Sequence, residues 1–336
     1  MTLKIAVVGG GIVGCLSAIK LQESGFDVTL VDKSNIGQES SWAGAGILFP
    51  LMPWEYDSRI FELCKSASRF YREFSKKLWE TTKIDPEYIE SGLICIPPFD
   101  KNKMLDWSQQ NNFDVNDFIF KDSHSYLFSS IAQIRPPRLM RAIKIFMKSI
   151  GIRVIENTNL IKLKRGENNI KKWPATNGNS ISADIFVLTS GAWSAEIKEN
   201  YRDIIYPVRG QIIQYKPCEL KINHILYSDD FYVLQRKDGV IIAGSTLEHV
   251  GFKKDIQPNA IKGLMEKTAK LIPELSGVKP EKHWAGLRPG SKGNIPLIEK
   301  DEYYDNIFIN SGHYRYGVTM APKSSEEICN LIMTSI

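Results

Sequence analysis

Six residues near the start of the chain, Gly9-Gly10-Gly11-Ile12-Val13-Gly14, carry the spacing G-x-G-x-x-G. Glycine at 9 lets a strand turn tightly, glycine at 11 lets backbone approach a pyrophosphate, and glycine at 14 lets a helix pack closely on the strand. The start of that helix offers N–H groups and a positive dipole end to phosphate. Asp32 follows 18 residues after Gly14, where a carboxylate can accept from ribose hydroxyls. Gly9, Gly11, Ile12, Val13, Gly14 and Asp32 are therefore candidate dinucleotide-binding residues. A ligand-free glycine turn is the alternative, but it does not call for strand, helix, strand and acid in that order.

Two further stretches rich in small residues, Lys33 to Ser41 and Ala43 to Leu48, lie close to this motif. They suit a cofactor buried lengthwise, with Lys33, Ser40, Ser41, Ala45, Gly46 and Leu48 beside it. That favours FAD over NAD, which usually lies in an open crevice. The apolar run Phe186–Leu188 leads into Thr189-Ser190-Gly191-Ala192-Trp193, a turn of the kind that closes over FAD, so Ser190, Gly191 and Trp193 join the candidates. The strand alone also reads as ordinary core.

These residues need a βαβ unit to hold them. Lys4 to Val8 and Asp27 to Val31 read as strands, and Ile12 to Ser24 reads as the helix between them. One amphipathic helix is expected from about Asp57 to Thr81, another after Pro136-Pro137, and a strand at Arg153–Ile155. Antiparallel strands are expected over 158 to 187 and again over 205 to 250, then a helix over 258 to 271 and a closing helix over about 318 to 333. The expected fold class is α/β, with a Rossmann-like FAD-binding domain interleaved with an antiparallel-sheet substrate-binding domain. The FAD-binding parts are 1–84, 135–204 and 301–336, and the substrate-domain parts are 85–134 and 205–300.

Composition excludes several other classes. The 336 residues are 43% hydrophobic and 24% charged, which is ordinary for a globular chain. The net charge of +5 is scattered. Its densest group, Lys162, Lys164, Arg165, Lys171 and Lys172, surrounds Gly166–Asn169 and reads as a solvated hairpin tip; with no interleaved aromatics, nucleic acid is not an expected partner. The five cysteines have no C-x-x-C spacing, so no metal site or disulfide framework is expected and a reducing cytoplasm fits. Glycines break the apolar run Ile5 to Leu21, and no segment reads as a membrane span.

Seven segments in order give the chain a resemblance to the D-amino acid oxidase family of flavoenzymes, and within it to enzymes that oxidise glycine. They are the GGGIVG unit, SSWAGAGIL, Gln133–Pro137, TSGAW, Pro207–Gln211, Trp284–Gly290 and Gly312–Gly317. The resemblance implies FAD, oxidation of a small amino acid such as glycine, sarcosine or a small D-amino acid, and O2 as acceptor. It also implies roles by position. Arg288 pairs with the substrate carboxylate, Tyr232 hydrogen-bonds the same group, and Arg315 lies near flavin and substrate. Leu247 stands where a pocket methionine is expected, and the Leu160 backbone contacts adenine. Gly312, His313, Tyr316 and Gly317 complete the cofactor wall. Tyr316 and Lys323-Ser324-Ser325, taken to lead into the last helix, depart from the family pattern.

The chemistry asks for few side chains, because the flavin takes the hydride. Arginine suits a carboxylate, since its planar fork makes two parallel bonds. Arg288 sits in the stiff setting Gly286-Leu287-Arg288-Pro289-Gly290, with a surface salt bridge as the plain alternative. Tyr232 can also be a plain core tyrosine, and His313 a turn residue instead of a base or a covalent flavin anchor. Tyr316 either narrows the pocket or points into the domain interface. A dehydrogenase using a quinone, with the apolar stretch Ile47–Trp54 at a membrane, and a flavin protein without turnover remain as other readings. So does assembly into a homo-oligomer.

Overall fold

A computed structural model describes residues 2–164, 166–217 and 219–336; Arg165 of the basic cluster and Cys218 lie outside the described residues. The Lys4–Val8 strand is apolar and buried at four of its five positions, as expected for a strand covered on both faces. It sits centrally in a six-stranded sheet, between Asp27–Val31 and Ile185–Leu188, and runs parallel to both. Arg153–Ile155 adds in parallel to Asp27–Val31, and Ile307–Ser311 adds in parallel to Ile185–Leu188. Leu297–Lys300 closes the far edge antiparallel to Ile307–Ser311. The expected substrate-side block 205–300 thus runs four residues into this sheet at its end.

Helix Ile12–Glu23 buries nine of its twelve residues against this sheet. Helices Ala67–Thr82, Pro136–Ser149 and Gly317–Ser335 share the apolar cluster beside it. Lys323, Ser324 and Ser325 lie inside the last helix, not ahead of it; the Ser325 hydroxyl meets that of Ser17 at 3.3 Å.

An eight-stranded sheet runs in the order Lys282–Ser291, Ile205–Tyr215, Ile241–Gly244, Phe231–Gln235, Ile225–Ser228, Leu93–Cys95, Ser123–Phe128, Asn116–Phe120. Every pairing is antiparallel except Leu93–Cys95 with Ile225–Ser228. The longest ladder aligns Val208 with Arg288 and Gly210 with Gly286.

Two expectations are corrected. The helix expected from Asp57 to Thr81 is two helices, Ser58–Cys64 and Ala67–Thr82. The first packs Ile60, Phe61 and Leu63 with Trp54 and Met104, and the second packs Tyr71, Phe74 and Leu78 against a different cluster. A single straight helix cannot serve both. Ile185–Leu188, expected to end a run of antiparallel strands, is parallel to both of its neighbours. The described residues of the basic cluster lie between Leu160 and Ala175, which pair antiparallel, a second hairpin pairs Lys172–Pro174 with Ser180–Ser182, and Asn168 binds Asp305. Lys162 pairs with Glu199, and Lys171 with Asp184 at 3.6 Å.

Candidate active site

A cavity of about 500 Å³ opens at the C-terminal ends of the parallel strands and extends across to the antiparallel sheet. That is where ligands bind in open α/β sheets. It gathers Gly9, Gly11, Ile12, Val13, Asp32, Lys33, Ser40, Ser41, Ala45, Gly46, Leu160, Ser190, Gly191 and Trp193 with Tyr232, Arg288, His313, Arg315, Tyr316 and Gly317.

At one end the wall is mostly backbone. Gly9 has φ of +116°, and a Cβ there would lie 2.5 Å from the Thr189 carbonyl oxygen, so glycine is required. A Cβ on Gly14 would fall 1.9 Å from the Gly9 carbonyl oxygen. Gly14 therefore packs helix on strand and does not reach the cavity. Gly11 has ordinary backbone angles, φ −71° and ψ 177°, and its side faces Ser41. The Ser41 hydroxyl accepts from Ile12 N at 2.8 Å and so caps the glycine-motif helix. Asp32 accepts from Gly10 N at 2.5 Å and from Ser34 N at 2.7 Å. Burial raises its carboxyl above the usual range, with those hydrogen bonds opposing the rise. Lys33 lies over the Trp193 ring, 3.9 Å from its centre.

The other end is built from long side chains. The Arg288 guanidinium lies flat on Gly210, where any Cβ would come within 2.2 Å of it. It donates to Ser245 Oγ at 2.7 Å, to Thr246 O at 3.1 Å and to Arg209 O at 3.4 Å. All three acceptors are neutral. Burial lowers its pKa from the ordinary arginine value, which marks a cation held away from water. Tyr232 is buried beside it; burial raises its phenol, while Arg288 and Ser245 pull the other way. Arg315 pairs with Asp230 at 2.9 Å. The Tyr316 hydroxyl donates to Leu51 O at 3.2 Å and shares a hydrogen bond with the Tyr56 hydroxyl at 3.1 Å, and its ring meets Tyr56 edge-on. It both lines the cavity and packs into the core beside Tyr232.

Besides Gly14, three expected residues do not line the cavity. Leu48 is buried in the core behind the parallel sheet. Gly312, at φ +91°, shapes the turn into the last helix, and its carbonyl accepts from the Ser291 hydroxyl. Leu247 is 42% exposed. Its neighbours Thr246 and Glu248 point inward to Gln211 and Arg209, so backbone alternation turns Leu247 to solvent. Conversely, Asp230, Gly210 and Ser245 line the cavity without having been singled out as site residues. Gly210 lies under Arg288 only through the register of the ladder, so none of the three had a local signal in the sequence.

The walls fit FAD. Two glycines without Cβ give backbone access at one end, Asp32 stands at the strand end behind them, and buried atoms His313 Nε2 and Arg315 Nε lack hydrogen-bond partners among the described residues. The first turn of helix Gly317–Ser335 lines the cavity as well, bringing a positive dipole end to it.

Comparison with known proteins agrees. The family model for FAD-dependent oxidoreductases of the DAO type matches residues 4–331. A glycine oxidase of Pseudomonas aeruginosa is 32% identical, covering 99% of this chain and 95% of its own length. A glycine oxidase of Bacillus subtilis is 24% identical over 97% of this chain and 92% of its own. Among solved structures, glycine oxidase of Bacillus cereus aligns with a TM-score of 0.89 at 24% identity, covering 100% of this chain and 96% of the other. The chain belongs to the DAO family of FAD-dependent oxidoreductases, with FAD as its cofactor.

Proposed function

We propose that the protein oxidises a small amino acid, such as glycine, sarcosine or a small D-amino acid, at its Cα–N bond. The observation that carries this is Arg288: a desolvated cation on the cavity wall whose acceptors among the described residues are neutral. Such a group calls for an anion, and its planar fork matches a carboxylate. FAD, when bound, would supply the hydride acceptor, at N5, with O2 taking up the two electrons and two protons as H2O2. Arg288 clamps the substrate carboxylate, and the Tyr232 hydroxyl donates to the same group. Held at two points, the substrate keeps Cα–H aimed at the acceptor, which is the main demand of the step. Gly210 lets the guanidinium lie against the strand, and Ser245 with Thr246 fixes its plane. No side chain is assigned as a base, because an amine that binds unprotonated needs none. Tyr316 limits the room for a substrate side chain.

No helix among the described residues is long and apolar enough to cross a membrane. The described cysteines, Cys15, Cys64, Cys95 and Cys329, are free and buried, which suits a reducing cytoplasm.

The test is to mix purified protein anaerobically with glycine, sarcosine, D-alanine and larger D-amino acids and follow flavin absorbance. Bleaching by the small ones, then recovery in air with one H2O2 per turnover, is the expected result. Bleaching with no peroxide in air but rapid recovery with a quinone would make the protein a dehydrogenase. No bleaching by any amino acid would overturn the proposal.

A further inference from the structure

Arg288 is not alone at the substrate end of the cavity. Asp230, Tyr232, Arg315 and Tyr316 line it too, so two cations and one carboxylate face the same space. Asp229 and Asp230 form the turn between strands Ile225–Ser228 and Phe231–Gln235, with φ of 48° and 57°. Asp230 stands two residues before Tyr232, and both line the cavity. One Asp230 oxygen, Oδ1, accepts from Arg315 Nη1 at 2.9 Å and from the Tyr227 hydroxyl at 3.0 Å. The Arg315 side chain is 13% exposed and that of Asp230 60%, so the carboxylate sits on the outer side of the pair. The two guanidiniums feel each other, since Arg315 lowers the Arg288 pKa further after burial has done so. The remaining charged residues on the wall are Lys162, which pairs with Glu199, and Asp32, Lys33, Glu39 and Glu196, which influence one another around Lys33 at the other end.

From this arrangement we infer that Asp230 sets the charge of acceptable substrates: by occupying Arg315 it leaves Arg288 as the carboxylate clamp, so the site takes monocarboxylates and disfavours dicarboxylates. The substrate end carries a net charge of +1 when both arginines and Asp230 are ionised. One carboxylate with an uncharged amine neutralises it. A second carboxylate near Arg315 would meet Asp230 first, and like charges in contact oppose binding strongly. A second carboxylate left without a partner would bear the cost of desolvation instead. The inference rests on the proposed amino acid chemistry for its choice of substrate class.

Asparagine tolerates the left-handed backbone of this turn and keeps the size of aspartate. Asp230→Asn therefore removes the charge and spares the turn. The FAD-loaded protein is titrated by calorimetry with methoxyacetate, which has one carboxylate, and with diglycolate, which has two. Neither has a Cα–N bond, so binding is read without turnover. Asp230→Asn is expected to raise the affinity for diglycolate relative to methoxyacetate at least about tenfold, and added salt should shrink that gain. Asp230→Glu should keep the wild-type ratio within about threefold, as the charge is retained. An unchanged ratio in Asp230→Asn, an equal gain in Asp230→Glu, or failure of the wild type to bind methoxyacetate would overturn the inference. A wild type that binds both ligands with the expected preference but is bleached by no amino acid would sink the proposed reaction and leave the role of Asp230 standing.

Discussion

The two ends of the cavity are built by opposite means. At the nucleotide end, Gly9 and Gly11 bring backbone to the wall, and Asp32 is held by two backbone N–H groups. At the substrate end, Arg288, Arg315, Tyr232 and Tyr316 reach in from separate parts of the chain. The first end works by leaving side chains out and the second by placing them. Adding a single carbon should therefore damage the first most, while removing a charge should damage the second most.

Gly11→Val tests the first half and has the largest expected effect. The backbone there accepts a side chain, and the nearest atom to a new Cβ is Ser41 Oγ at 3.2 Å. The chain should fold and lose FAD, giving a colourless protein with unchanged far-ultraviolet circular dichroism. A yellow Gly11→Val protein would break the comparison at this end. Arg288→Ala tests the second half. It should keep FAD and lose kcat/KM for the best amino acid by roughly thirty- to several-thousand-fold, the cost of about 2–5 kcal/mol for leaving a buried charge unpaired. Unchanged kinetics would remove Arg288 from the clamp.

The same contrast explains what could be read from the sequence. The nucleotide end begins in one βαβ unit, and its glycines and Asp32 declare themselves by spacing alone. Six strands of the parallel sheet come from scattered segments, yet Lys4–Val8, Asp27–Val31 and Ile185–Leu188 were readable as short apolar runs. The substrate end depends on strand register. That Gly210 lies under Arg288 follows from the pairing of 205–215 with 282–291, which no local pattern fixes. Asp230 was hidden for another reason: two aspartates between strands look like turn chemistry, and they are that as well. The break at Lys65-Ser66 was hidden because no glycine or proline marks it; two separate cores pull the helices apart.

His313 belongs to neither kind of wall. It is buried, it lines the cavity, and its Nε2 has no hydrogen-bond partner among the described residues. Burial drives its pKa down from 6.5 to about 3. The folded state therefore binds fewer protons than the unfolded state between these values. The stability contributed by the neutral ring is complete above pH 6.5 and is lost as pH falls toward 3. Urea unfolding from pH 7 to pH 4 should show wild type losing up to about 1.4 kcal/mol per pH unit from this group, and His313→Gln losing correspondingly less. Equal slopes in the two proteins would mean that His313 has a proton-accepting partner when folded.

The smallest expected effect concerns the Tyr316 hydroxyl, and it separates shape from polarity at the substrate end. The ring lies on the cavity wall, while the hydroxyl is engaged by Leu51 O and the Tyr56 hydroxyl. If that division of labour holds, Tyr316→Phe keeps the wall in place and loses only two hydrogen bonds. Stability should fall by about 0.5–1.5 kcal/mol, because the Leu51 carbonyl is left buried without that donor. The preference for glycine and sarcosine over D-phenylalanine, taken as a ratio of kcat/KM values, should stay within about twofold of wild type, since the volume lost is that of one oxygen. Tyr316→Asn instead removes most of the ring, and the same ratio should move by about tenfold toward D-phenylalanine, the worth of a modest change in pocket volume. The pair of variants is more informative than either alone. A shift in Tyr316→Phe would show that the hydroxyl contacts the substrate. No shift in Tyr316→Asn would show that the size limit is set elsewhere on the wall, with Phe49 and Ile212 the next apolar side chains lining it.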